Sequence, residues 1–406
     1  MTERLYYDDP YLMEFEARVS ACVPAEDGSS LVYLDQSAFY PTSGGQPFDT
    51  GTIGACSVTD VFVDENGDVA HRVNGSLIPG GTVYCTIDRD RRFDHMQQHA
   101  GEHILAGCVY KMFGGHTIGL HIGHEDSTID AELPDGRMRL TDSELSALED
   151  AVNAHIQANE EIRCYFPDAQ ELSRLPLRKP PAVVTHVRVV QIGTWEYCAC
   201  GGTHPARTGE IGVFKLTDAR PSRGKIRFTF VCGKRANRLF AEYMDSVKQA
   251  GALLSADVRT LPAAAEETIK RLKDAQYALG RLKSDMAAAQ ISSALTKAPR
   301  TGGMLIIKQL FDGTDAAALK DAAQTVTEYQ NAAALLGSRT QDGVLMLFAR
   351  SQDCTRDMGA LISEAARRFG GKGGGRSEFA RGSAPDERAL DYAYERLAQL
   401  AEQGAR

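Results

Sequence analysis

The spacing of apolar and polar residues divides this 406-residue chain into regions of different structure. In the first ninety residues, short apolar runs such as LVYLDQSAFY, TIGACSVTDVFV and GTVYCTIDR alternate with clusters of Gly, Asn, Asp and Pro. Asn66 and Gly67 are typical of a two-residue hairpin turn. Short strands separated by turn residues predict a small, mostly β domain that is barrel-like.

A helical period replaces this alternation in the middle of the chain. Apolar residues recur at helical spacing over residues 95–113, and Thr141 with Glu144 forms a capping-box pattern that begins a second helix. The runs VVTHVRVVQIG, IGVFKLT and KIRFTFVCG predict strands, the last two joined by a turn around residues 221–224. This region is therefore predicted to be mixed α+β.

The last 170 residues or so begin with a long helical segment. It is rich in Ala, Leu, Lys and Glu and is interrupted near Gly251 and Pro262, which predicts two helices that form an extended arm, either a coiled coil or a helical hairpin. After residues 299–303, strand and helix patterns alternate, as is typical of an α/β domain with a parallel sheet. The glycine-rich segment Gly370–Arg376 is expected to be a loop before the final helix.

Composition limits the function classes. Hydrophobic residues make up 43% of the chain and charged residues 24%, which is ordinary for a globular protein. The sequence contains no apolar run of transmembrane length and no basic-plus-apolar leader, so we expect a cytoplasmic protein without a membrane partner. Nine cysteines without paired spacing then indicate reduced thiols rather than a disulfide framework.

Two short motifs predict a metal site. His99 and His103, spaced i and i+4, project from one face of the predicted helix. Cys200 and His204 flank two glycines in CGGTH, where a turn can bring a thiolate and an imidazole toward the same ion. Nitrogen and sulfur donors of this kind are the ligands of Zn²⁺.

Basic residues are clustered although the formal net charge is −9. Because phosphates attract Lys and Arg, three clusters are candidates for contact with nucleic acid, although each could equally be a solvated surface. Two of the clusters flank the proposed metal site. The residues that we select from the three clusters are Arg91, Arg92, Arg223, Lys225, Lys372 and Arg376.

Two glycine-rich segments could also bind a ligand. The backbone amides of Gly370–Arg376 could form a nest for a phosphate, or the segment could be only a flexible connection. In the segment Tyr40–Gln46, which could by itself be a β-turn, the amide of Gln46 could hold a polar substrate group or a water.

Three motifs follow one another along the chain, namely FYPTSGGQ at 39–46, the histidine helix and CGGTH at 200–204. In this order they resemble the editing domain of alanyl-tRNA synthetase and the free-standing AlaX proteins. The helical arm and Gly370–Arg376 resemble the C-terminal domain that long AlaX proteins and the synthetases share with DHH-type phosphoesterases. The resemblance implies an α+β protein with a β domain (1–92), a zinc-binding editing domain (93–236), a helical arm (237–299) and a DHH-associated α/β domain (300–406).

The resemblance also implies a function, namely hydrolysis of the ester that joins serine or glycine to the terminal adenosine of alanine tRNA. No ATP-binding signature is present, so we expect a proofreader that acts in trans, with Zn²⁺ as its cofactor and a possible homodimer through the arm and C-terminal domain. A separate site that hydrogen-bonds the serine hydroxyl can reject alanine, whereas an alanine pocket cannot strongly reject serine. The residues expected to contact the substrate are Thr42, Ser43, Gly44, Gly45, Thr117, His121 and Thr203, and those expected to take part in catalysis are Gln46 and Glu102.

Alternatives remain open at this point. Four protein ligands fill a structural zinc site, whereas a catalytic zinc normally keeps three and a water, so the chain could be a tRNA-binding protein without turnover. His99, Glu102 and His103 also match the inverzincin metalloprotease signature, which needs a further carboxylate such as Glu171 or Glu196. Glu102 could act as a general base or be a surface residue. A phosphodiesterase is disfavoured, because the DHH carboxylate cluster is absent.

Overall fold

A computed structural model describes residues 1–181 and 185–403 and divides the chain into two units, Met1–Val247 and Lys248–Arg406. Each unit has hydrophobic cores of its own. The helices that the structure describes include none with both the length and the apolar character required to cross a membrane. The division into four domains proposed from the sequence stays a prediction.

The first ninety residues form a closed barrel. Their strands are β1 (Glu3–Arg4), β2 (Glu14–Pro24), β3 (Ser29–Leu34), β4 (Gln36–Ser37), β5 (Gly51–Ile53), β6 (Cys56–Val63), β7 (Val69–Asn74) and β8 (Thr82–Ile87). Six of them close in the order β2-β3-β7-β6-β5-β8, with antiparallel neighbours throughout. Alternate residues of β2, among them Phe15, Ala17 and Val19, are buried inside the barrel. The predicted barrel-like β domain is confirmed, and its closure leaves no open sheet edge.

The rest of the first unit packs helices against two small sheets. Its elements are α1 (Arg89–Phe113), β9 (His116–Ile122), β10 (Ser127–Glu132), α2 (Asp142–Gln157), β11 (Ile162–Tyr165), α3 (Ala169–Leu172), β12 (Val189–Ile192), β13 (Glu196–Ala199), β14 (Phe214–Ser222) and β15 (Lys225–Cys232). The strand orders are β14-β15-β10-β9 and β11-β12-β13, and every pairing is antiparallel. The mixed α+β prediction for this region is confirmed.

Local sequence explains where these elements begin and turn. Thr141 and Glu144 form the predicted capping box at the start of α2. The turn between β14 and β15 is Arg223–Gly224, both with positive φ, and Pro221 lies within β14, an edge strand that tolerates proline. The start of the predicted strand VVTHVRVVQIG lies outside the described residues, and the strand β12 occupies Val189–Ile192 of this run.

The helix α1 is buried along most of its length. Its N-terminus is capped by Asp88, whose side chain accepts a hydrogen bond from the Arg91 amide, and it ends at Gly114 in the left-handed conformation. Gly101 allows close packing on β15, because a Cβ at this position would lie 2.3 Å from the Sγ of Cys232. The central turns of α1 therefore lie inside the unit.

Arg92 joins α1 to the barrel through a fully buried ion pair with Asp49. Its Nε donates to the Oδ2 of Asp49 at 2.9 Å, and its Nη1 donates to the Pro10 carbonyl at 2.8 Å. The prediction that Arg92 binds tRNA is wrong, since its side chain is fully buried and its guanidinium binds Asp49 and two backbone carbonyls within the protein. A sequence cluster of arginines does not reveal that one member is directed into the core.

The helical segment follows as α4 (Gly233–Leu254) and α5 (Leu261–Lys297), which confirms two helices; the break falls at residues 255–260, with Pro262 in the first turn of α5. The remaining elements are β16 (Arg300–Thr301), β17 (Met304–Asp312), α6 (Ala316–Gln324), β18 (Ala332–Thr340), β19 (Gly343–Arg350), α7 (Met358–Arg368), β20 (Lys372–Gly375), β21 (Phe379–Ala384) and α8 (Arg388–Gln403). Side chains from α5 and α6 cover one face of this sheet, and side chains from α7 and α8 cover the other.

The C-terminal sheet is mixed rather than parallel. Its order is β16-β17-β18-β19-β21-β20, and only β17 and β18 run parallel. The expectation of a parallel sheet is wrong because β18 and β19 are connected by two residues, Gln341 and Asp342, which form a hairpin and cannot form a crossover. The predicted loop at Gly370–Arg376 is also wrong, because residues 372–375 form the edge strand β20 and pair with β21.

Candidate metal centre

Four side chains from two elements meet in the first unit. His99 and His103 project from adjacent turns of α1, with their rings stacked 5.2 Å apart, while Cys200 and His204 lie in the loop after β13. The Sγ of Cys200 lies 3.4 Å from the Nε2 of His99 and 3.5 Å from the Nε2 of His204. One donor atom from each of the four residues lies within 4.8 Å of the other three. The structure therefore brings together the four predicted ligands.

The buried imidazole nitrogens test whether a metal suits this cluster. Both ring nitrogens of His103 and the Nδ1 of His204 are buried and lack a hydrogen-bond partner within residues 1–181 and 185–403. Buried polar atoms are almost always satisfied, so several orphaned nitrogens at one point indicate a missing ligand. A thiolate and three imidazoles are donors that Zn²⁺ accepts, and we conclude that the residues fit a metal.

Burial also sets the protonation of the cluster. It lowers the pKa of His99 to about 3 and the pKa values of His103 and His204 well below their usual range, so all three rings are neutral near pH 7. Neutral imidazole is the form that binds metal. Burial raises the pKa of the Cys200 thiol to about 12, and a bound cation would favour its thiolate.

Gln46 fixes the orientation of His99. The Nδ1 of His99 donates to the Oε1 of Gln46 at 2.8 Å, which directs the opposite nitrogen, Nε2, toward Cys200. The Nε2 of Gln46 donates to the hydroxyl of Thr203 at 2.8 Å, and the Thr203 amide donates back to Oε1 at 3.2 Å. Gln46 is fully buried with both ends of its amide used, so it supports a ligand and does not hold substrate or water as the sequence suggested.

Arg188 and Gly202 shape the loop that carries Cys200. The Nη1 of Arg188 donates to the carbonyls of Cys200 at 3.1 Å and of Gly202 at 2.8 Å. A Cβ on Gly202 would lie 2.2 Å from the Cε1 of His99, so only glycine fits here without moving the ring. The adjacent glycines of CGGTH therefore allow the loop to approach the histidine helix.

A cavity of about 460 Å³ opens beside the four ligands. The predicted substrate residues Ser43, Gly44, Gly45 and Thr117 line it, together with His99, His103 and Cys200. The carbonyl of Gly45 accepts a hydrogen bond from the Ile122 amide at 3.0 Å, which holds the glycine-rich loop against β9. The loop at residues 43–46 and the metal cluster thus share one concave site.

Glu102 and Arg178 supply charge to this cavity. Glu102 is buried, its Oε2 lies 3.9 Å from the Nδ1 of His103, and burial raises the pKa of its carboxyl while Arg178 and Lys179 oppose that rise. Arg178 pairs with the buried Glu196 at 2.8 Å and donates to the Thr117 hydroxyl at 2.6 Å. Glu102 is therefore not a surface residue, and its carboxylate faces the space beside the ligands.

Three predicted substrate contacts lie elsewhere. Thr42 is exposed and absent from the cavity wall, and His121 is exposed on β9. Thr203 is fully buried and bonded to Gln46. The expectation that Thr203 contacts substrate is wrong, because its side chain is fully buried and its hydroxyl binds Gln46. The expected contacts of Thr42 and His121 stay predictions.

The remaining predicted tRNA contacts are dispersed. The side chain of Arg91 is partly buried, with its Nε bonded to the Phe48 carbonyl, and Arg223 occupies the exposed β14–β15 turn beside the half-buried Lys225. Lys372 and Arg376 are exposed at the edge strand β20 and just after it. Their roles stay predictions.

Sequence reasoning missed several residues of the cavity. Arg178 and Lys179 come from an irregular segment with no motif, so no signal identified them. Cys198 and Glu196 form a second group of possible ligands with His103, and the C-x-C spacing of Cys198 and Cys200 was a usable signal. Glu171, the other carboxylate required for a protease, is exposed on α3 and lies outside both ligand groups of the described residues.

Comparison with known proteins identifies two domains. Residues 187–228 match the threonyl and alanyl tRNA synthetase second additional domain, and residues 302–403 match the DHHA1 domain. The first match contains the CGGTH loop, β14 and the first half of β15, and the second covers most of the C-terminal sheet.

Several archaeal alanine–tRNA ligases are similar over nearly the whole chain. The relative from Archaeoglobus fulgidus is 32% identical over 394 residues, which covers 94% of this chain and 42% of the ligase. The relative from Halorubrum lacusprofundi is 32% identical over 403 residues, covering 96% and 43%. The relative from Pyrococcus abyssi is 28% identical over 410 residues, covering 98% and 44%. This chain thus spans less than half the length of the curated relatives it matches.

Among the solved structures that are similar to this chain is a domain of a synthetase. The C-Ala domain from Aquifex aeolicus alanyl-tRNA synthetase aligns over 26% of this chain and 98% of its own length, with 18% identity and a TM-score of 0.25. At this TM-score the likeness carries no argument about the fold.

Proposed function

Because this chain is an AlaX-like protein related to the alanyl-tRNA synthetases, we propose that it hydrolyses the ester of alanine tRNA mischarged with serine or glycine, acting in trans. The observation that carries the proposal is the shared cavity, in which His99, His103 and Cys200 meet the glycine-rich loop at residues 43–45. A cavity with convergent polar groups and strongly shifted pKa values is typical of a catalytic site.

The metal is part of this proposal. His99, His103, Cys200 and His204 would hold Zn²⁺, which when bound polarises an ester carbonyl. Gln46 keeps His99 in the tautomer that presents Nε2 to the cluster. Four protein ligands would fill a tetrahedral site, so either one of them would be labile or the metal would position the aminoacyl group while another residue orients the attacking water.

Glu102 is the residue that we assign to proton transfer. Burial raises the pKa of its carboxyl toward the range in which a general base is most effective. The attacking water forms the new bond to the ester carbon, its proton passes to the Glu102 carboxylate, and the bond from that carbon to the ribose oxygen breaks as the oxygen takes up a proton. The products are the free amino acid and the tRNA with its terminal hydroxyl.

Selectivity is assigned to the same cavity. Thr117 and Ser43 both line it, and a hydroxyl from either could meet the hydroxyl of a seryl group. The Thr117 oxygen already accepts from Arg178, so its own proton is available to donate. A site that hydrogen-bonds the serine hydroxyl discriminates against alanine by leaving its own polar group unpaired.

The experiment that tests the function follows release of the amino acid from seryl-, glycyl- and alanyl-tRNA, with and without a chelator. We expect release from the first two, little from the third, and loss of release with the chelator. RNA binding without any release would instead indicate a closed structural zinc. Cleavage of a protein substrate would indicate a metalloprotease.

A homodimer through the arm and the C-terminal domain stays part of the proposal. Apolar side chains are exposed along α5, which supports an interface on this helix. The exposed residues are Ile269, Leu272, Tyr277, Leu279, Leu282 and Met286.

A further inference from the structure

A second cavity, of about 330 Å³, lies one helical turn before the metal ligands. Its lining includes Arg91 and His95 of α1 and Lys234, Arg235 and Arg238 of α4. We call it the basic cavity. His95 is 3% exposed, and its Nδ1 has no hydrogen-bond partner in the described part of the chain. The metal cluster and the proposed hydrolysis use none of these five side chains.

The charges facing the basic cavity do not cancel. Lys234 pairs with Asp90 at 3.1 Å, and Arg235 pairs with Asp94 at 2.6 Å. Within residues 1–181 and 185–403, no carboxylate pairs with Arg91 or Arg238. Two cations therefore remain uncompensated. Among the described residues, the other titratable side chains of the wall are His124 and His95, and burial lowers the pKa of His95 to about 3.

The guanidinium of Arg91 is held in place by Phe48. Its Nε donates to the Phe48 carbonyl at 3.0 Å, and its guanidinium carbon lies 5.2 Å from the centre of the Phe48 ring. Its two terminal nitrogens have no partner among the described residues and remain free to donate. A guanidinium fixed in this way loses little entropy when it binds a phosphate through two hydrogen bonds.

The ends of two helices reinforce the positive potential. Most of the residues that line the cavity belong to the first two turns of α1 and the first two turns of α4, where helix dipoles favour anions. The first turn of α4 contains no acidic residue. Arginines on two walls, a buried histidine and two helix N-termini therefore converge on one concave space.

The position of the basic cavity relates it to the metal centre. His95 precedes the ligand His99 by four residues, which is about 6 Å along the axis of α1. The contact between Gly45 and Ile122 separates the two cavities, since residues 43–45 line one and Pro47 and Ile122 line the other. We propose that the basic cavity binds a backbone phosphate of the RNA whose aminoacylated end enters the metal-centre cavity.

This inference rests on the proposed function, since it takes the partner to be an aminoacylated RNA. The test measures binding of an uncharged hairpin with the alanine tRNA acceptor-stem sequence, so it requires no turnover. For Arg238→Ala and Arg91→Ala, we expect affinity to fall about tenfold each, the size of one charged hydrogen bond. The slope of log affinity against log salt should become shallower by about 0.7 to 0.9 for each phosphate that the variant no longer neutralises.

Matched variants sharpen the test. Arg139→Ala removes an exposed arginine that lies outside the basic cavity and should leave affinity and slope unchanged. Asp90→Asn removes an opposing charge and should strengthen binding. Hairpins with one backbone phosphate replaced by an uncharged methylphosphonate identify the contact, because the effect of Arg238→Ala should disappear for one such hairpin.

The outcomes separate the two proposals. An unchanged affinity and slope for Arg238→Ala, or an equal loss for every methylphosphonate hairpin, would overturn the phosphate site whether or not the protein deacylates tRNA. In a competition experiment, inorganic phosphate and unlabelled hairpin are added at the same millimolar concentration. If phosphate suppresses hairpin binding as strongly as the unlabelled hairpin does, the proposal is overturned, because the cavity is then a site for free phosphate. If the variants change the salt slope as expected but the protein deacylates no tRNA, the proposed reaction is rejected and the RNA contact is retained.

Discussion

The Nδ1 of His99 donates a hydrogen bond of 2.8 Å to the Oε1 of Gln46, a residue 53 positions earlier in the glycine-rich loop. This bond connects the barrel to the histidine helix at the metal cluster. It orients the imidazole and fixes which nitrogen is free for a metal.

Gln46→Ala should weaken zinc binding. The variant leaves the Nδ1 of His99 without an acceptor and frees Thr203, and loss of such a supporting group typically costs about 10- to 100-fold in metal affinity. Competition with a chromophoric chelator measures the affinity. Gln36→Ala is the control, because Gln36 lies in the same unit and bonds only the Glu16 carbonyl. Equal zinc affinity in the two variants would contradict the role given to Gln46.

Gly202→Ala should perturb the centre, while the neighbouring Gly201→Ala should not. The new methyl at position 202 would lie 2.2 Å from His99, whereas at position 201 it would meet only the Tyr7 hydroxyl at 3.5 Å. Overpacking of this kind costs about 1 to 3 kcal/mol in unfolding free energy. Urea unfolding of the metal-free protein and its zinc content after reconstitution report the two effects. Equal unfolding free energies and equal zinc contents of the two variants would show that the loop does not pack closely against His99.

Arg92→Met should destabilise the first unit strongly. The substitution leaves the Asp49 carboxylate buried without its partner, and breaking a buried pair in this way costs about 3 to 5 kcal/mol in unfolding free energy. Arg89→Met, in the same helical turn but exposed, should cost little. Urea unfolding compares the two. A cost below about 1 kcal/mol for Arg92→Met would refute the structural role and reopen a surface role.

His71 should make the barrel sensitive to acid. Burial lowers its pKa to about 4 in the native state, while its Nδ1 donates to the Val32 carbonyl at 3.0 Å and its Nε2 lies 2.8 Å from the Ser37 hydroxyl. Below about pH 6.5 the unfolded chain takes up a proton that the native ring refuses, so stability falls as the pH drops from there to 4. The loss attributable to His71 should reach about 3 kcal/mol at pH 4.

Urea unfolding at several pH values isolates that contribution. His71→Gln should show a shallower decline between pH 6.5 and 4, whereas His116→Gln, which replaces an exposed histidine, should follow the unmodified protein. Parallel curves for all three proteins would mean that His71 does not titrate as its burial requires.

The sequence predicted local elements better than their pairing. The capping box of Thr141 and Glu144 and the helical spacing of His99 and His103 depend on neighbouring residues, so they could be read directly. Alternation of strand and helix patterns does not distinguish a mixed C-terminal sheet from a parallel one, whereas the short Gln341–Asp342 connection does, because it permits only a hairpin.

The sequence predicts which residues belong to the candidate site but not which way their side chains point. CGGTH and the histidine helix supplied the ligands, yet Gln46 and Thr203 turned out to support them rather than face the cavity. Burial decides such roles, and burial depends on contacts between distant parts of the chain. Arg178, whose segment has no periodic pattern, shows the limit most clearly, since only the fold brings it to Thr117 and Glu196.

The most direct test of the central claim is a zinc titration of metal-free protein in which serine release from seryl-tRNA and bound metal are measured on the same samples. We predict that the rate rises in proportion to zinc and levels off at one ion per chain, and that His99→Ala, which loses a ligand, neither retains zinc nor releases serine. A full rate in metal-free protein, or a zinc-loaded protein that binds the tRNA and releases no serine, would contradict the account.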